Sequence, residues 1–138
     1  MKRPLILLLL LFAVGFVEAQ YNWNIVLQKK ILLKGNEVNE EKNVRVVKSS
    51  DWKKSGYLEV YFREEHPSRW KHTIRFTDEL GTEMMIKENV FSTKISTTSL
   101  RKTFAGKKQV KIYMVIAPAD PNIMAPARMI HLATLKLP

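Results

Sequence analysis

The sequence predicts an all-β fold: an immunoglobulin-like antiparallel sandwich of seven to eight strands with one short helix near residues 97–104. Three observations carry that expectation. Apolar and polar residues alternate at period two through much of the chain, the pattern of strands buried on one face. Turn-forming residues recur at roughly ten-residue intervals, the spacing of a sandwich or barrel. Only the segment around Leu100 and Phe104 carries a four-residue apolar spacing that suits a helix. A small closed barrel is the alternative arrangement of the same strands.

Residues 1–19 are set apart from this pattern. Lys2 and Arg3 precede an apolar run over 5–17, which is short for a bilayer span and suited to the middle of an export signal. Val17, Glu18 and Ala19 fit a cleavage site, so the expected mature chain is a single domain over 20–138. An uncleaved anchor is the competing expectation. The expected location is secreted or periplasmic. The chain has no cysteine, so no disulfide supports the fold, and thiol catalysis and cysteine-ligated zinc are excluded. A domain of this length can bury enough surface to stand without such staples.

Along the chain, 24–33 is expected to form one strand with Lys29 and Lys30 at its middle, and 44–48 a short one. In 57–63, Leu58, Val60 and Phe62 alternate with Glu59, Tyr61 and Arg63. In 70–76, Trp70, His72, Ile74 and Phe76 alternate with Lys71, Thr73 and Arg75. The turn-like 64–68, with Pro67, predicts that these two strands pair as a hairpin. Strands are also expected over 82–87 and 89–95. Thr97 or Thr98 is the expected helix cap, and Gly106 the stop. The segment 109–117 has the profile of a central strand, with 128–137 as its partner. The polar, acidic stretch 34–43 suits a mobile loop.

Catalytic patterns are absent: no nucleophile elbow, phosphate-binding glycine loop or zinc-binding helix occurs. The expectation is a non-catalytic protein with no cofactor and no metal. Glu64 and Glu65 are adjacent, so on extended backbone they point apart and suit a solvated turn better than an acid/base pair. His72 lies on an apolar face. His131 shares its strand face with Met129, Ala133 and Leu135. Both are expected to be core or boundary imidazoles. A hydrolase would need a histidine and a carboxylate converging in a pocket.

Two surface features remain. The loop 118–126 joins the two best strands, is stiffened by Pro118, Pro121 and Pro126, and carries Ile123 and Met124. Stiffness lowers the entropy lost on binding, and such loops are where sandwiches carry recognition. Pro121, Ile123 and Met124 are therefore the candidate contacts for a protein or glycan partner. The opposing expectation is that Ile123 and Met124 fold back to plug the core. The second feature is a run of five cations in eleven residues, Arg101, Lys102, Lys107, Lys108 and Lys111, with no acid among them. The mature chain carries 21 basic and 12 acidic side chains, and most of the excess lies after residue 80. This run would suit a polyanion or an anionic surface, without specific nucleic-acid readout. It would equally keep a strand edge from pairing.

Overall fold

The computed structural model describes residues 21–65 and 69–138. The expected signal at 1–19 and the centre of the expected turn, 66–68, lie outside the described residues. Among the described residues, nine strands and two short helices follow one another as β1 (Tyr21–Leu27), β2 (Lys30–Gly35), β3 (Val44–Val46), α1 (Ser49–Lys53), β4 (Tyr57–Glu64), β5 (Lys71–Thr77), β6 (Glu83–Glu88), β7 (Ser92–Ser96), α2 (Thr97–Thr103), β8 (Gln109–Ala117) and β9 (Arg128–Lys136). They form two sheets of order β2-β1-β4-β7 and β3-β9-β8-β5-β6. This is a β-sandwich, not a closed barrel. Every pairing is antiparallel except β3 with β9.

Period two does what the sequence implies. Ile25 and Leu27 of β1, Leu58, Val60 and Phe62 of β4, Ile74 and Phe76 of β5, and Val110, Ile112, Met114 and Ile116 of β8 are all buried. Burying each such side chain stabilises the domain by about 1.5–3 kcal/mol before entropy is counted, so this interior is the main force holding two cysteine-free sheets together. Polar contacts also cross between the sheets, one of them deep in the core. The Trp23 indole Nε1–H donates to the Leu132 carbonyl at 2.9 Å. The indole lies so close to Gly35 that a Cβ there would sit 2.1 Å from the ring, which is why β2 ends in glycine.

The structure corrects several sequence expectations. The single strand over 24–33 is two strands, β1 and β2, joined by Gln28 and Lys29. Both turn residues are left-handed, with φ of 54° and 64°, as a two-residue hairpin turn requires. Neither is the usual glycine or asparagine, so the turn left no mark in the sequence. The Gln28 amide holds it instead, with Nε2 donating to the carbonyls of Asp51 and Lys54. These bonds also secure α1, which has no side-chain cap and was not expected.

The expected hairpin of 57–63 with 70–76 does not form. β4 pairs with β1 and β7 in one sheet, whereas β5 pairs with β6 and β8 in the other. Alternation is identical for either arrangement, because each strand needs only one face against a core. The helix forms as expected, with Leu100 and Phe104 buried together. Its cap is Ser96, whose Oγ accepts from the Ser99 N–H, and the chain turns away through Gly106 at φ 77°. The acidic loop after β2 is fastened: Asn39 Oδ1 accepts from the N–H groups of Glu41 and Lys42, and Asn43 Nδ2 donates to the Glu37 carbonyl.

Candidate functional site

One end of the sandwich gathers the start of β1, the close of β4, the start of β5, the β6–β7 connection and the loop between β8 and β9. The register fixes this: Tyr21 lies opposite Glu64, Lys71 opposite Ala117, and Arg128 opposite Ile116. The proline loop crowns this end. Asp120, Pro121, Asn122 and Ile123 make a tight turn, in which Asp120 Oδ1 accepts from the Asn122 N–H and its carbonyl accepts from the Ile123 N–H. Proline at the second position is pre-set for this geometry. Beyond the turn, Met124 is 97% exposed and Ile123 48% exposed. The loop projects, so the expectation that these two residues plug the core is overturned. The turn bonds are local to Asp120, Asn122 and Ile123, and the Met124 side chain stands in water.

Beside the loop is an open cleft of about 440 Å³, lined by Arg69, Trp70, Lys71, His72, Asn89, Phe91 and Ala119. Phe91 is half-exposed, and its ring lies 4.2 Å from the His72 ring, centroid to centroid. Lys71 pairs with Glu88 at 3.4 Å, and Arg128 donates to the Tyr21 hydroxyl at 3.0 Å. The rim is thus aromatic and cationic, close to two exposed aliphatic side chains.

Beneath the cleft is a buried polar pair that sequence reasoning missed. Glu64 is 8% exposed, and its Oε1 lies 2.7 Å from His72 Nε2. His72 Nδ1 lies 2.8 Å from the Trp70 carbonyl, which can only accept, so Nδ1 carries a proton. At 2.7 Å the Nε2–Oε1 contact ties the ring to the carboxylate. The expectation of a solvated Glu64 was wrong because it weighed charge above period: Leu58, Val60, Phe62 and Glu64 are one inward row. A histidine and a carboxylate do converge here, as a hydrolase would need. Both ring nitrogens, however, are spent inside the protein and offer no atom to a substrate. Among the described residues no group of three or more histidines and carboxylates could hold a metal.

The basic run lies toward the other end, and the structure disperses it. Lys107 Nζ pairs with Asp78 Oδ2 at 3.0 Å, and the Lys108 N–H donates to Glu79. This contact raises the Lys107 pKa and, by the same hydrogen bond, lowers that of Asp78. Arg101 turns its guanidinium onto the carbonyls of Trp52 and Lys54. Lys102 and Lys108 are exposed, and Lys111 lies on the outer face of β8. The acids of the β5–β6 turn were invisible as neighbours in the sequence, since only the fold brings residue 78 to residue 107.

His131 also departs from expectation. A bulge beside Ile112 and Tyr113 absorbs Leu132, so His131 pairs with Tyr113 and faces outward, away from Ala133 and Leu135. Its Nε2 lies 2.8 Å from Thr134 Oγ1, while Nδ1 is buried with no hydrogen-bond partner among the described residues. Burial lowers the pKa of this imidazole, the Glu40 carboxylate opposing and Lys111 adding to the shift. No family model, curated protein or solved structure matches the chain.

Proposed function

We propose that this chain is an exported, non-catalytic binding module that captures a partner through the loop end of its sandwich. The observation that carries the reading is the exposed apolar tip of a braced loop, Met124 at 97% and Ile123 at 48%. A soluble surface gains nothing from displaying methionine on a proline-stiffened projection, whereas a recognition loop does, because little order is left to impose on binding. The half-exposed Phe91 and the adjoining cleft extend the same surface.

Export rests on the apolar leader at 1–19, and with it a secreted or periplasmic location. Among the described residues no helix is long and apolar enough to cross a membrane. The immunoglobulin-like reading draws support from the connectivity: β4 and β5 follow each other in opposite sheets, β7 returns to β4, and α2 carries the chain across to β8. A non-catalytic role is supported by the committed nitrogens of His72. The polyanion reading of Arg101, Lys102, Lys107, Lys108 and Lys111 is the weaker one, because Asp78 and Glu79 offset the run.

The test is capture of partners from envelope extracts by the 20–138 domain and by an Ile123→Ser, Met124→Ser variant. A partner bound by the parent should lose at least about tenfold in affinity, or 1.4 kcal/mol, with the unfolding midpoint unchanged. Equal affinity for both proteins would refute the reading.

A further inference from the structure

The outer face of the four-stranded sheet has a composition that the loop end does not explain. β4 turns Tyr57 and Tyr61 outward, and they remain 49% and 46% exposed. They stand four residues apart on one face, so their Cα atoms are about 13 Å apart along the strand. Across the sheet, register sets Lys34, Asn24, Tyr61 and Ser92 in one row, and the pair Asn22–Arg63 beside it. The residues flanking Tyr61 are thus small or amide-bearing and leave its ring uncovered.

At the β1–β2 side of this row is a second cleft, of about 320 Å³, lined by Asn22, Asn24, Lys34 and Asn36 together with Trp23 and Gly35. Three carboxamides and an ammonium line it, with no carboxylate. The charges of the face are also lopsided. Lys94 is engaged by Glu59 at 3.7 Å and lies over the Tyr57 ring. Lys34 and Arg63 take part in no ion pair among the described residues.

We infer that this face binds an acidic polysaccharide, laid across the strands from Tyr61 to the asparagine cleft. Each feature matches one property of a uronate chain. The negative face of a tyrosine ring attracts the polarised C–H face of a sugar ring. Carboxamides both donate and accept, as ring hydroxyls do. Lys34 and Arg63 supply isolated positive charges for a polymer with one carboxylate per ring. Nucleic acid, with a charge every 1.7 Å of duplex, is met by denser cations than these two. The site is independent of the partner proposed for the loop end.

The experiment titrates the 20–138 domain with oligomeric polygalacturonate and alginate, with neutral dextran, single-stranded DNA and phosphatidylglycerol vesicles alongside. Saturable binding to at least one uronate polymer is expected, with no binding to dextran. Tyr61→Ala and Lys34→Gln should each weaken it by about tenfold, while Tyr61→Phe stays within about threefold. These side chains are exposed, and unchanged unfolding midpoints verify the fold. The Ile123→Ser, Met124→Ser variant should bind the polymer as the parent does, which separates this site from the loop. Failure to bind either uronate polymer, indifference to Tyr61→Ala, or tighter binding to DNA or vesicles would overturn the inference.

Discussion

Glu64 and His72 bridge the ends of two strands that belong to different sheets. Removing the carboxylate alone leaves an imidazole buried with one nitrogen unmatched, so Glu64→Ala should cost about 3–5 kcal/mol by urea unfolding. Replacing both by leucine should recover much of that loss, because the cost lies in stranding one partner. Other residues shape the acid response. The His131 pKa is held below its ordinary value of 6.5 by burial, so the unfolded chain takes up the proton first. Stability should therefore fall as pH drops below that value, and His131→Gln should flatten this limb. The Asp78 pKa is held below its ordinary 3.8 by the hydrogen bond from Lys107. Its contribution is intact above 3.8 and is lost as pH falls through the depressed value; Asp78→Asn should shrink this second limb, to which Glu79, its pKa also lowered by backbone hydrogen bonds, adds the rest. At the alkaline end, the raised Lys107 pKa means that stability held below 10.5 is lost as pH rises through the higher folded-state value. Urea midpoints across pH for the parent and the two variants resolve the limbs.

Elements whose identity depends on local pattern were legible in the sequence, and those that depend on pairing were not. β8 runs over 109–117 as expected, because nine residues alternate without interruption. The helix was legible from Leu100 and Phe104. The β1–β2 turn was not, since Gln28 and Lys29 carry no turn signature and the Gln28 amide is held by carbonyls more than twenty residues away. That makes a specific prediction. Lys29 occupies a left-handed conformation that glycine adopts freely, so Lys29→Gly should raise stability by about 0.5–1 kcal/mol. Gln28→Gly should lower it, because two hydrogen bonds to the α1 segment go with the side chain. β2 supplies a second test. A methyl group at residue 35 meets the Trp23 ring, so Gly35→Ala should cost about 1–3 kcal/mol and shift the Trp23 fluorescence.

At the scale of the whole molecule, the sandwich separates its surfaces. One end offers an apolar tip, an aromatic rim and a cleft; the other pairs Lys107 with Asp78 and the Lys108 backbone N–H with Glu79. The candidate loop residues were legible because prolines around an apolar pair stand out in any sequence. That they are exposed was not legible, since a plug and a projection have the same composition. The opposite end provides an internal control. Leu80, in the turn after β5, is 84% exposed and as apolar as Met124. The decisive measurement places a photo-crosslinking amino acid at position 124 or at position 80 of the full chain in the cells that produce it. The account predicts a discrete cross-linked product from position 124 and none from position 80. Equal labelling at both positions, or none at 124, would contradict it.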